Sequence, residues 1–97
     1  MLEKQVEQKL TRCVHALGGR CYKFVSPGNS GVPDRIVVLP GGRVVFVELK
    51  RCSGARLDPL QALQASRLRA LGCEVAAVKS IAEVDAFCKA VNEGKAL

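Results

Sequence analysis

The stretch Val32-Pro-Asp-Arg-Ile-Val-Val-Leu-Pro40-Gly-Gly-Arg-Val-Val-Phe-Val-Glu-Leu-Lys50 decides how the chain folds. Two β-rich runs, Asp34 to Leu39 and Arg43 to Lys50, flank Pro40-Gly41-Gly42. A three-residue connection containing glycine between such runs is a hairpin signal. With Leu39 facing Arg43, the register brings Asp34 opposite Glu48 on one face of the pair. Period two puts Lys50, Phe46 and Val44 on the face of Glu48. Glu48 and Lys50 interrupt a deeply apolar strand. An ion pair at a strand end accounts for those two alone, but not for the second carboxylate that faces them. Opposed carboxylates with Cβ atoms ~4.5–5.5 Å apart repel unless a proton or a cation lies between them. Such oxygen donors suit Mg²⁺. A lysine beside them can hold an attacking water or stabilise charge growing on a phosphate. Asp34, Glu48 and Lys50 around one divalent metal therefore read as phosphodiester hydrolysis.

Working outward, Val6, Leu10, Cys13, Val14 and Leu17 recur at helical spacing, so a first helix is expected from about Leu2 to Leu17, stopped by Gly18-Gly19. A short strand is expected over Cys21 to Val25, then a turn-rich loop from Ser26 to Pro33. Arg51 to Leu57 reads as a basic loop. Asp58, Pro59 and Gln61 form a helix-start signature, with Gln61 three residues after the cap. This second helix runs to about Leu71 and ends at Gly72. Glu74 to Val78 reads as a fourth strand. Ser80-Ile-Ala-Glu83 resembles a capping box and opens a last helix to about Val91. The order is α-β-β-β-α-β-α, an α/β domain with a mixed sheet flanked by helices.

The 97 residues suffice for one domain, spanning 1–97. Hydrophobic residues at 48% and charged residues at 25% exclude intrinsic disorder. No apolar run approaches the ~20 residues of a membrane span. The N-terminal stretch lacks the apolar segment of a secretion signal, so a cytoplasmic chain is expected. The net charge of +6 suits an anionic partner such as nucleic acid or an acidic membrane surface. With only three Phe and one Tyr, a base-stacking platform is not expected, and contacts to phosphates should dominate. Cys13, Cys21, Cys52, Cys73 and Cys88 show neither zinc-site nor redox spacing and read as small hydrophobes. His15 falls on the polar side of the first helix.

Pro33-Asp34 followed by Glu48-Leu49-Lys50 resembles the PD-(D/E)XK nuclease superfamily, whose core is restriction-endonuclease-like. The wider stretch Gly18 to Arg35, then Pro40 to Lys50, then Pro59-Leu60-Gln61, resembles the VRR-NUC branch, the virus-type replication-repair nuclease domain of phages and prophages. The resemblance covers almost the whole chain. It implies Asp34 and Glu48 as carboxylate ligands of Mg²⁺ or Mn²⁺, Leu49 as a ligand through its backbone carbonyl, Lys50 as the catalytic lysine, and Gln61 as the glutamine near the site. It also implies a glutamate from the first helix, for which Glu3 and Glu7 compete. Glu3 lies about 40° and Glu7 about 80° from the centre of the apolar face, which favours Glu3. Lys23, Arg35, Arg51 and Arg56 flank the motifs as candidate phosphate contacts, Arg35 the weakest because it should point to the other sheet face. Ser26 and Ser30 belong to a loop that either lets a phosphate approach its backbone or is a simple connection. The implied substrate is structured DNA such as a four-way junction, cut by a homodimer. A nicking nuclease without junction preference is the enzymatic alternative. A basic DNA-binding module without turnover is the other.

Overall fold

The computed structural model describes residues 3–49 and 58–97, apart from the side chain of Glu3. Its elements are α1 (Glu3–Ala16), β1 (Arg20–Lys23), β2 (Arg35–Val38), β3 (Val44–Leu49), α2 (Pro59–Ala70), β4 (Glu74–Val78) and α3 (Ile81–Asn92), in the expected order. The four strands lie in the sequence β1-β2-β3-β4, the first three antiparallel and β4 parallel to β3. A parallel neighbour needs a crossover, and α2 provides it.

The tight link between β2 and β3 is a single 3₁₀ turn over Pro40–Gly42. The Leu39 amide donates to the Arg43 carbonyl at 2.8 Å, which closes the hairpin where the sequence placed it. Gly41 sits at φ 87° and ψ 0°, a left-handed conformation that suits glycine. The resulting register pairs Arg35 with Val47, Ile36 with Phe46, Val37 with Val45 and Val38 with Val44.

That register sorts the side chains onto two faces. On one face Val37, Val45, Val47 and Leu49 meet Val6, Leu10 and Val14 of α1 and Val84, Phe87, Cys88 and Val91 of α3. Val6, Leu10 and Val14 are fully buried, and burial of side chains of this size stabilises by roughly 1.5–3 kcal/mol each. The core is thus aliphatic, with Phe87 its only ring among the described residues. Burial, and then the neighbouring Cys13 thiol, push Cys88 up to about 12, so it stays protonated as a core group. Cys13, Cys21, Cys73 and Cys88 are free thiols, and Cys52 lies outside the described residues.

The other face carries α2, which packs on β4 with Ala65 buried beneath it. At the far end of α2, Arg69 Nη2 donates to the Val75 carbonyl at 2.9 Å. At the start of β3, Arg43 forks onto Glu74 at 3.0 and 2.7 Å and ties β3 to β4. Ser80 caps α3 by accepting from the Glu83 amide at 3.2 Å. The Glu83 carboxylate accepts from Lys79 rather than from Ser80, at 3.0 Å, so the cap is one-sided. No helix among the described residues is long and apolar enough to cross a membrane.

Candidate active site

Asp34 precedes β2 and Glu48 is the penultimate residue of β3. The register that pairs Arg35 with Val47 continues to set Asp34 beside Glu48. Asp34 Oδ1 accepts from the backbone amide of Leu49 at 3.1 Å, so the aspartate is anchored to the end of β3 itself. Glu48 is 6% exposed despite its charge. An ionised carboxylate taken out of water needs charged or hydrogen-bonding company. Part of that company is Gln61, whose Nε2 donates to Glu48 Oε1 at 2.8 Å.

Gln61 does two jobs with one carboxamide. Its Oε1 accepts from the Asp58 amide at 3.1 Å, while the Asp58 carboxylate accepts from the Gln61 amide at 2.9 Å. This is a complete capping box. The opposite end of the same amide holds Glu48. Only one orientation of the carboxamide satisfies both contacts, since oxygen must face the backbone N–H and nitrogen the carboxylate. The helix start seen in the sequence therefore also delivers Gln61 to the carboxylate pair.

The loop from Ser26 to Pro33 is built to hold this helix start. Gln64, one turn after Gln61, donates from Nε2 to the Ser30 carbonyl at 3.2 Å. Gly31 lies at φ +89° against the Leu60–Gln61 peptide, and a Cβ there would fall 2.6 Å from the Leu60 carbonyl carbon. The close approach is thus to the helix backbone. Gly31→Ala is expected to combine left-handed strain with this clash, costing about 2 kcal/mol or more. For a domain of this size that lowers Tm by at least about 8 °C, readable by thermal circular dichroism. An unchanged Tm would show that the loop moves aside.

Arg35 departs from expectation in its use. It points to the other face, as its parity requires, but is 7% exposed. Its Nη2 pairs with Glu7 Oε1 at 2.6 Å and its Nη1 donates to the Asp34 carbonyl at 2.9 Å. A guanidinium buried under α1 and committed to Glu7 is not presented to a DNA phosphate, so Arg35 is removed from the candidate contacts. Glu7 is correspondingly engaged by Arg35, and Glu3 begins α1 one turn earlier. Lys23 is exposed at the end of β1. Ser26 Oγ accepts from Asn29 Nδ2 at 2.9 Å within the loop, and Ser30 is exposed. Lys50, Arg51 and Arg56 lie outside the described residues. The Leu49 side chain is core, 3% exposed, and its backbone borders Asp34. The sequence signalled neither the Gly31 contact nor the Glu7–Arg35 pair, because both depend on where the helices land on the sheet.

The donor set fits a hard divalent cation. Two carboxylates supply oxygen only, and each offers more acceptor positions than one hydrogen bond uses. The Leu49 amide and Gln61 fix the two groups without adding charge. No group of three or more His, Cys, Asp or Glu able to hold a metal occurs among the described residues, so any further oxygen would come from backbone, water or residues outside them.

A mixed sheet that brings a Pro-Asp and a Glu-Leu segment together, with a helical glutamine laid across them, defines a PD-(D/E)XK-type nuclease fold. The chain belongs to the VRR-NUC family. It is 43% identical over 90 residues to "Putative nuclease p44" of Acyrthosiphon pisum secondary endosymbiont phage 1, a match covering 93% of this chain and 95% of that protein. It resembles a solved "VRR_NUC domain" structure with a TM-score of 0.86 and 36% identity, over 90% of this chain and 94% of the other. A solved "VRR_NUC domain protein" shares the fold at a TM-score of 0.70 and 14% identity, over 92% of this chain and 86% of the other. No family model matches the sequence.

Proposed function

We propose that this chain is a Mg²⁺- or Mn²⁺-dependent DNA endonuclease acting on structured DNA in the cytoplasm of a phage-infected or prophage-bearing cell. The observation that carries this is the juxtaposition of Asp34 and Glu48, with Leu49 N–H and Gln61 orienting their carboxylates. A bound divalent ion supplies positive charge at the phosphate and acidifies water. Asp34 and Glu48 would hold that ion, with the Leu49 carbonyl and Glu3 as further oxygen donors. Lys50 would position the attacking water and stabilise charge on the phosphate oxygens. Gln61 keeps Glu48 in a fixed pose, so the ligand need not reorganise when the ion arrives. Lys23, Ser26, Ser30, Arg51 and Arg56 would contact phosphates. The products would carry 5′-phosphates.

The test is cleavage of labelled linear, nicked, flapped and four-way DNAs with and without Mg²⁺ and Mn²⁺. Incision that requires metal and favours branched forms supports the proposal. Metal-independent incision, or binding with no incision, would overturn it. Binding should also weaken steeply with salt, because the +6 charge acts on phosphates. About six contacts on duplex give a log–log slope of about −5 in a fluorescence-anisotropy titration. A flat response would leave the charge as a solubility feature.

A four-way junction has two symmetric cleavage positions, and this body measures 32 × 31 × 22 Å. One Glu-Leu-Lys site per chain then requires two copies related by a two-fold axis. Light scattering at micromolar concentration should return twice the 10.4 kDa chain mass. A strict monomer, free and on DNA, leaves a nicking nuclease.

A further inference from the structure

The register gathers three of the four aromatic residues of the chain on one face. Phe24 N–H donates to the Asp34 carbonyl at 2.9 Å, so Phe24, Asp34 and Glu48 form one row across the strands. The next row is Tyr22, Ile36 and Phe46. The Phe24 and Phe46 rings lie 5.7 Å apart at 56°, an aromatic contact that spans the two rows. Tyr22 is 56% exposed beside them. Phe24 and Phe46 are half-buried against each other, which leaves Tyr22 the exposed ring of the group.

We infer that Tyr22, on the same face as the Phe24–Phe46 pair, stacks on an unpaired nucleobase next to the scissile phosphate. The inference rests on the nuclease function proposed above and specifies how branched DNA is told from continuous duplex. In intact duplex every base is already stacked, and a flat ring beside the phosphate gains nothing from an exposed tyrosine. At a fork or junction a splayed base has a free π-face, and aromatic side chains capture such bases without regard to sequence. The place of the aromatic strip favours nucleic acid over a second copy of the chain, because the strip adjoins the Asp34–Glu48 row, where the proposed function puts the scissile phosphate. Arg20 lies on the same face at the outer end of β1, and the only acids in these rows are Asp34 and Glu48. A nucleotide held at that row offers a ring for Tyr22 and a phosphate for Arg20. The aromatic count alone argued against stacking, because composition cannot show that the rings converge.

The test uses the whole chain. Binding is followed in EDTA with forked DNA carrying 2-aminopurine as the first unpaired base, and cleavage rates on forked and linear DNA are compared in Mg²⁺. Wild-type protein should quench the probe and prefer the fork. Tyr22→Ala should lose the quench and reduce the fork-to-linear rate ratio about tenfold, within what one base–aromatic stack contributes. Tyr22→Trp should keep both. A quench and a ratio unchanged in Tyr22→Ala overturn the inference while the nuclease stands. A Tyr22→Ala protein that changes its mass in light scattering but not its ratio also overturns it, and makes this face a contact between copies. A wild-type protein that cuts no DNA removes the nuclease function and this inference together.

Discussion

Asp34→Asn and Glu48→Gln should each lower cleavage by at least about 10³-fold while leaving a folded protein. Each replaces a charged oxygen ligand by a neutral amide of the same shape, and the metal's charge stabilisation is worth several kcal/mol of barrier, at 1.36 kcal/mol per tenfold. The fold should tolerate the change. Asp34 Oδ1 accepts from Leu49 N–H, and an asparagine carbonyl oxygen can accept in its place. Glu48 accepts from Gln61, and a glutamine at 48 can do the same through its own carbonyl. Without metal, each substitution also removes one of two neighbouring negative charges, so Tm in EDTA should hold or rise. DNA affinity in EDTA should likewise hold or increase. Single-turnover cleavage alongside thermal unfolding separates these effects. Metal-dependent cleavage at the wild-type rate by both variants would remove Asp34 and Glu48 from the chemistry.

Gln61→Glu should be the next most damaging change, and it isolates one half of the carboxamide. A glutamate at 61 still accepts from Asp58 N–H, so the capping box survives and α2 should remain helical. The other half changes sign. Where Nε2 donated to Glu48 at 2.8 Å, a second carboxylate oxygen now meets it. Like charges at this distance raise carboxylate pKa values until one proton is shared. The metal must then compete with that proton, so apparent metal affinity should fall about 10- to 100-fold, the usual effect of losing a group that orients a ligand. The loss should be partly recovered as pH rises and the shared proton leaves. A metal titration of the rate at two pH values, with calorimetry of Mn²⁺ binding, reads both effects. The same metal dependence as wild type would leave Gln61 a helix cap only.

What the sequence disclosed was local or set by a short turn. Pro40-Gly41-Gly42 fixes its own register, and every facing pair from Leu39–Arg43 back to Asp34–Glu48 follows from it. Asp58 and Gln61 announced the start of α2 because a cap is written within four residues. The hidden features depend on distances no turn sets. The link from Lys23 to Arg35 is eleven residues long, so the β1 register, and with it the gathering of Tyr22, Phe24 and Phe46, could not be counted along the chain. Arg35 was legible as to face but not as to fate, since Glu7 meets it only once α1 has docked. Gly31 belongs to a loop that read equally as a phosphate approach or a simple connection, and its packing against the start of α2 could not be read from the chain.

The hydrogen bond from Arg69 to the Val75 carbonyl bears on how copies of this protein can meet. An open sheet has two borders, and each is a template for strand addition and for uncontrolled polymerisation. On β4 the guanidinium of Arg69 occupies a carbonyl that an incoming strand would need. On β1 the border is only four residues long and carries Arg20 and Lys23 at its ends. Like-charged strands do not zip together readily along so short a margin. Pairing of two molecules into one continuous eight-stranded sheet is therefore disfavoured at both borders, and a symmetric assembly must be made by helices or by sheet faces. A two-fold contact closes after two members, whereas head-to-tail pairing of one border with the other would have no built-in end.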